Sequence, residues 1–276
     1  MNTDRASFTS TVVRLADGQE CHLLDGGQGR ALMFIHGLPG EGADFLPLAS
    51  RLAQRYRCLL LDRSGYGRST PVASTRPMTV ERAADDVAEI LDQLKLREVV
   101  LIGWSYGAHV VACVAASKPE LIDRVVLLGA AGPSLKWPID AVDRLLFSGW
   151  PGRTVFRLVR RAAPGVLRRA LSVAVGRPVT AEEFQAFMDG LKRPGMIDNW
   201  LREGRAWQPS SMQPESIQQP CLMVHGDEDA RVPIEVARET ARRLPAGALR
   251  EVAGSGHWPF LTHVEEVERE IEQFIG

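Results

Sequence analysis

One serine in the chain stands in a setting that could make it a nucleophile. Ser105 lies in Gly103-Trp104-Ser105-Tyr106-Gly107, after the apolar, β-branched run EVVLIGW and before SYGAHVVACVAAS, which has the length and small-residue content of a buried helix. Strand, sharp turn and helix in that order fit the G-x-S-x-G nucleophile elbow. Such a turn lifts the serine hydroxyl above a sheet, and the helix N-terminus beneath it offers amide groups and positive potential to a developing oxyanion. Serine at its ordinary pKa is a poor nucleophile, so a histidine base and a carboxylate to orient it are required. His257, in the glycine-rich Gly254-Ser255-Gly256-His257-Trp258 after a strand, is the candidate base. His22, His36, His109, His225 and His263 compete with it; His109, four residues beyond Ser105, is the nearest rival and reads as a core histidine because that helix packs inward. The acid is expected between the two in chain order, in HGDEDARVP, where Asp227, Glu228 and Asp229 all stay open. His36-Gly37-Leu38-Pro39-Gly40, directly after ALMFIH, supplies a backbone that can turn to offer a second oxyanion donor.

These residues need a rigid frame, and the sequence describes one. Strand-like runs followed by helical ones recur: ALMFIH before ADFLPLASRLAQR, RCLLLD before TVERAADDVAEILDQL, the elbow itself, then RVVLLGA. Repeated strand–helix units imply an α/β fold whose mostly parallel, doubly wound sheet is covered on both faces. From Pro133 to about residue 214 no convincing strand occurs, and four of the six tryptophans (Trp137, Trp150, Trp200, Trp207) fall there, so 133–214 reads as a helical insertion into a core made of 1–132 and 215–276. The rhythm resumes with CLMVHGD, a helix over 234–243, LREVAG and the closing helix HVEEVEREIEQFIG. Charge divides at the same boundary: the insertion holds 13 Lys or Arg against 7 Asp or Glu, a net +6, leaving −7 for the remainder.

Composition removes several classes of function. At 276 residues, 45% hydrophobic and 24% charged, the chain can bury a large core. No apolar run approaches the roughly 18–20 residues of a membrane span, and MNTDRASFTS has no hydrophobic signal segment, so the expected location is cytoplasmic. A net charge of −1 gives no reason to expect nucleic acid as a partner. Cys21, Cys58, Cys113 and Cys221 sit singly in apolar stretches with no CxxC pair, which predicts reduced core thiols and neither disulfides nor a zinc site. No signature of an oligomeric state is present.

Taken in order, four segments resemble the α/β-hydrolase family, in the branch that carries a helical cap. HGLPG resembles its HGxPG oxyanion loop, Asp62-Arg63-Ser64-Gly65-Tyr66-Gly67-Arg68-Ser69 its D-x-R-G-x-G-x-S segment, GWSYG its elbow, and GDEDARVP its G-x-x-D-x-x-V-P. The resemblance implies a sheet of about eight strands with a cap over 133–214. It also implies Ser105 as nucleophile, His257 as base, Asp229 as acid, and the backbone N–H groups of Leu38 and Tyr106 as the oxyanion hole, with no metal or organic cofactor. Two departures stand out: Ser64 replaces a usual glycine, and Ala108 replaces a second glycine after the elbow.

A serine at the elbow sets the chain apart from family branches that use aspartate there, the haloalkane dehalogenases and epoxide hydrolases. The basic insertion argues against an aminopeptidase-like site, which holds a substrate amine with acidic groups. What remains is a hydrolase of small carboxylic esters or lactones, which is the preferred reading, beside a hydrolase of carbon–carbon bonds in diketo acids, whose members resemble the Gly256-His257-Trp258 segment. A non-catalytic ligand sensor on the same fold is a third. Trp137, Trp150, Phe156, Phe184, Phe187, Met188, Met196, Trp200 and Trp207 are the side chains expected to build the cap core and shape the pocket. Eight arginines from Arg144 to Arg177, with no acidic residue among them, read first as a solvated helix face and second as a face that attracts an anionic substrate or rests on an acidic surface of protein or membrane.

Overall fold

The computed structural model describes residues 7–130, 145, 147–206 and 213–276. In chain order its elements are β1 (Phe8–Arg14), β2 (Glu20–Gly26), β3 (Ala31–Ile35), α1 (Leu46–Leu52), β4 (Arg57–Leu61), α2 (Val80–Gln93), β5 (Val99–Trp104), α3 (Tyr106–Ser117) and β6 (Ile122–Leu128). Four helices follow: α4 (Trp150–Ala162), α5 (Pro164–Val175), α6 (Ala181–Gly190) and α7 (Met196–Ala206). The chain then returns through β7 (Cys221–Gly226), α8 (Ile234–Arg243), β8 (Gly247–Val252), the single turn α9 (Pro259–Thr262) and α10 (Val264–Ile275). Between β6 and β7 every regular element among the described residues is a helix, as the missing strand pattern implies.

The eight strands form one sheet in the order β1-β2-β4-β3-β5-β6-β7-β8. β1 and β2 pair antiparallel with their neighbours, and all pairings from β4 to β8 are parallel. The antiparallel hairpin is the part of the sheet that the sequence pattern did not delimit. β1 alternates exposed and half-buried residues in place of a continuous apolar run. The central strands are buried along their whole length. Period-two alternation sends Leu32 and Phe34 to one face, where they meet α1 and α10, and Met33 and Ile35 to the other, where they meet α2 and α3.

The order of the strands fixes where a site can be built. β3 is flanked by β4 on one side and β5 on the other, so the connections leaving β3 and β5 depart to opposite faces and open a crevice at their carboxyl ends. The loop His36–Gly40 leaves β3 there and the Ser105 turn leaves β5.

Candidate active site

Ser105 occupies a backbone conformation that few non-glycine residues adopt, with φ 53° and ψ −117°. Such a position costs about 1–3 kcal/mol and persists only where the surroundings enforce it. The two flanking glycines show the enforcement. A methyl group at Gly103 would lie 2.4 Å from the Gly107 carbonyl oxygen, and one at Gly107 would lie 2.1 Å from the Ile35 carbonyl oxygen. Strand, turn and helix therefore close on each other with no room for a side chain, and the Ser105 side chain is turned out of the sheet.

Three side chains from three loops meet at this point, all buried. His257 Nε2 lies 2.9 Å from Ser105 Oγ, and His257 Nδ1 lies 2.7 Å from Asp229 Oδ2. Burial alone would raise the Asp229 carboxyl, but the neighbouring His257 and His225 imidazoles, with the Val232 amide, outweigh it and hold the pKa below the ordinary value. An ionised carboxylate can only accept, so Nδ1 carries the imidazole proton and Nε2 is left to accept from the serine hydroxyl. The other Asp229 oxygen accepts from the amides of Arg231 (2.7 Å) and Val232 (2.9 Å), which fixes the carboxylate plane. Its neighbours in sequence do otherwise: Asp227 and Glu228 are exposed, and Asp227 Oδ1 accepts from the Gly254 amide at 2.7 Å, closing the turn between the β7 and β8 loops.

The remaining histidines have other partners or places. His36 accepts from the Arg63 amide at 3.1 Å and donates to the Gly37 carbonyl at 2.9 Å; burial, with Arg63 nearby, pushes its pKa down to about 3. His22, on β2, bridges Asp62 and Ser10 of β1. His109 is buried in α3, and burial pushes its pKa to about 3. His225 donates to the Val232 carbonyl at 2.8 Å and stands 3.3 Å from Asp229 Oδ2, so a second imidazole, kept below its ordinary pKa by burial, backs the carboxylate. That role had no sequence signal beyond its place at a strand end.

The loop after β3 lies against Ser105. A methyl group at Gly37 would come 3.2 Å from Ser105 Cβ, and Leu38 follows it on the half-buried rim, joined to Pro39 by a cis peptide bond. Tyr106 opens α3, so its amide belongs to the first helical turn beside the Ser105 hydroxyl. Among the described residues no group of three or more His, Cys, Asp or Glu is placed to hold a metal ion.

Residues 30–264 match the alpha/beta hydrolase fold family. The chain belongs to that family. It is 29% identical to a non-heme haloperoxidase of Rhodococcus erythropolis over 95% of its own length and 98% of the relative's. It is 27% identical to a 2-hydroxy-6-oxononadienedioate/2-hydroxy-6-oxononatrienedioate hydrolase of Pseudomonas putida, covering 97% and 96%. Its fold superposes on an esterase of Exiguobacterium antarcticum with a TM-score of 0.82, at 22% identity, covering 97% and 99% of the two chains.

Of the two departures from the alpha/beta hydrolase pattern, Ser64 has a local physical account. The Ser64 hydroxyl donates to Asp86 Oδ2 at 2.6 Å, and Asp86 is also bound by Arg76 and Arg82, so the serine helps satisfy a buried carboxylate that a glycine would leave short of one donor. Ala108 is buried beside Gly103, where a methyl group on the glycine would lie 2.7 Å from Ala108 Cα, and nothing in the structure explains alanine there in place of glycine.

Other features had no local signal. The Trp104 indole N–H donates to the His257 carbonyl at 2.8 Å, and its ring packs on Trp258 with centroids 4.7 Å apart, so the variable position of the elbow holds the base loop. The His257 amide donates to the Ala174 carbonyl at 2.9 Å, tying the same loop to the end of α5. Arg63, fully buried, makes two hydrogen bonds to Glu203 of α7 (2.7 and 3.1 Å), donates to the Gly37 carbonyl at 3.0 Å, and lies over the rings of Tyr66 and Tyr106.

A cavity of about 270 Å³ opens beside these residues, between α1 and its preceding turn on one side and α5 and α6 on the other. Trp104 and Trp258, chain neighbours of Ser105 and His257, form its inner end, and Leu171, Val175, Phe187, Leu191 and Met196 form its apolar wall. Its polar members are acidic or paired. Burial pushes Asp44 up to about 7 and raises Glu41, while the Arg177 guanidinium holds Glu183 down to about 2 through two hydrogen bonds of 3.0 and 2.7 Å. Of the side chains expected to shape the pocket, Phe156 is buried against α7, Phe184, Met188 and Trp200 are half-buried, and Trp150 departs from expectation by pointing into solvent. Trp137, Trp207 and Arg144 lie outside the described residues.

Proposed function

We propose that this alpha/beta hydrolase cleaves carboxylic ester or lactone bonds of small, uncharged molecules through an acyl-enzyme on Ser105. The observation that carries the reading is the unbroken hydrogen-bonded line from Ser105 Oγ through His257 to Asp229, ending at a strained turn. In the mechanism, His257 Nε2 takes the hydroxyl proton as Ser105 Oγ attacks the carbonyl carbon, and Asp229 stabilises the imidazolium without taking its proton. The amides of Leu38 and Tyr106 receive the tetrahedral oxyanion. Collapse passes the proton to the leaving alkoxide, and a water activated by His257 then releases the acid and restores the hydroxyl. On this reading residues 133–214 form a cap over a core of 1–132 and 215–276, and the cavity between them receives the apolar part of the substrate.

The cavity also favours the ester over a carbon–carbon substrate of the dioate type. A buried carboxylate needs a cation, and the one guanidinium among the described lining residues, Arg177, is already paired with Glu183. Arg63, a buried guanidinium near the turn, is committed to Glu203.

The test is Ser105→Ala against a series of acyl p-nitrophenyl esters, with mass analysis of the wild type after a fluorophosphonate probe. Turnover should fall on the order of 10³-fold or more with an unchanged circular-dichroism spectrum, and the probe mass should map to Ser105. Near-wild-type turnover by the alanine variant, or labelling at another residue, removes the reading. A wild type that turns over no ester while still binding apolar ligands would identify a sensor.

A further inference from the structure

The outer face of the α4–α5 hairpin combines two features that occur together nowhere else among the described residues. Five of the six large apolar side chains that stand exposed lie between residues 145 and 173, with Trp150 at 79%, Leu158 at 61%, Val166 at 60% and Val173 at 56% exposure. Over the same two helices there are six arginines and no Asp or Glu. Arg153 is paired with Asp198 and Arg168 caps the Val179 carbonyl, but Arg157, Arg160, Arg161 and Arg169 have no carboxylate partner among the described residues.

Helical spacing gathers most of these side chains on one arc of each helix. Trp150, Arg157, Leu158 and Arg161 share the arc of α4 opposite buried Gly152 and Phe156, while Val166, Arg169 and Val173 share the arc of α5 opposite Leu171 and Val175. Isolated exposed apolar residues need no explanation, but a cluster on two helices that carry six arginines and no acid of their own does, with Asp198 of α7 beside them already paired with Arg153.

From this we infer that the α4–α5 face docks on a lipid bilayer with anionic headgroups. The intermixing of the two residue types decides between a lipid and a protein partner. A protein interface concentrates apolar residues in a charge-depleted centre with a polar rim. Here an arginine stands within a turn of Trp150, Leu158, Val166 and Val173. That pattern suits a boundary graded in depth, where apolar groups enter the acyl region and guanidinium groups rise to the phosphates. An exposed tryptophan at the edge of the patch fits the same depth. No helix among the described residues is long and apolar enough to cross a membrane, so the contact is peripheral. Because α5 lines the cavity with its other side, the docked face lies one helix, about 10 Å, from the proposed ester site. The inference does not depend on the ester reading.

The test is flotation of the full chain with vesicles of phosphatidylcholine alone and of phosphatidylcholine with phosphatidylglycerol. The wild type should float with the anionic vesicles only and be released by added KCl. At about fivefold per arginine, the triple variant Arg157→Gln, Arg161→Gln, Arg169→Gln should lower the partition coefficient by about 100-fold. Its thermal unfolding and its turnover of a water-soluble ester should match the wild type. Acyl-chain brominated lipids should quench tryptophan emission in the wild type more than in Trp150→Phe, which reports insertion without disturbing charge. Failure to bind anionic vesicles, equal binding to both compositions, or wild-type binding by the triple variant overturns the proposal. Retention on immobilised polyglutamate without vesicle binding also overturns it, in favour of an acidic protein partner.

Discussion

Asp227 and Asp229 are separated by one residue in the chain and by their partners in the structure. Asp229 is buried, its two oxygens divided between backbone amides and His257; Asp227 is exposed and holds the Gly254 amide. Asp229→Asn replaces an obligatory acceptor with a group that can also donate, which favours the His257 tautomer with its proton on Nε2, pointed at Ser105. On the proposed mechanism, ester turnover should drop on the order of 10³-fold or more with the fold kept. Asp227→Asn retains an oxygen for the Gly254 amide and should change stability by no more than about 0.5 kcal/mol and turnover little. Parallel steady-state kinetics on the two variants settle the ranking, and the reverse order would place the orienting carboxylate wrongly. Period and spacing alone left three acidic residues open at this strand end; only the register of the family resemblance singled out position 229. His225 and Trp104 were invisible as supports, since one acts through Asp229 and the other through the His257 carbonyl, contacts that exist only once distant loops meet.

At the scale of the element, the legible parts are those whose signal is local. Continuous Val, Ile and Leu runs mark the parallel strands because both faces are buried, and the helix over 234–243 begins and ends where its pattern does. The β1–β2 hairpin escapes because an edge exposed on one side has no such run. The turn before α1 reads in the sequence only as part of a helix, yet it half-buries an acid against the cavity. Asp44 accepts from the Glu41 amide at 2.9 Å, and burial pushes its pKa to about 7, well above the unfolded value. A carboxyl raised in the folded state imposes no penalty while both states are protonated. The penalty grows as pH rises from about 4 to about 7, where only the unfolded chain ionises, and is constant above that, reaching up to about 4 kcal/mol. Asp44→Asn keeps the acceptor for Glu41 and removes the titration. The variant should match the wild type at about pH 4 and exceed it increasingly toward about pH 7, by urea unfolding across that range. Neutral His36 contributes a slope of opposite sign, but equally in both proteins, so it cancels in the difference. Parallel stability–pH curves for the two would show that Asp44 is ionised in the fold.

Across the whole molecule, residues 133–214 and the rest of the chain carry opposite net charge, and among the described residues specific contacts join them. The deepest is Arg63 with Glu203, 140 residues apart in sequence, beside Asn199 on the Gly65 carbonyl and Arg193 on Glu41. Glu203→Ala would leave a guanidinium buried without its partner and should cost about 3–5 kcal/mol in chemical denaturation, whereas Arg63→Met with Glu203→Leu should recover most of that loss. A double variant less stable than the single one would show that the pair itself, and not the stranded charge, holds the layers together. The commitment of these charges to one another also sets what the cavity can admit. Among the described residues every cation near it is paired, burial raises Asp44 to about 7, and the wall is apolar, so a substrate carboxylate there would lose its hydration with no described cation to replace it. Two esters of equal size, one ending in a methyl group and one in a carboxylate, should therefore differ at least tenfold in kcat/KM in favour of the neutral one, the equivalent of about 1.4 kcal/mol or more. Arginines on the outer face of α4 and α5 can raise the local concentration of anions, but steering of that kind is screened over about 8 Å at physiological ionic strength and alters encounter, not fit. The preference should thus persist from low to high salt. A carboxylate ester turned over as fast as its neutral twin, or faster at low salt, would mean that a cation reaches the cavity after all, and would return the carbon–carbon reading to first place.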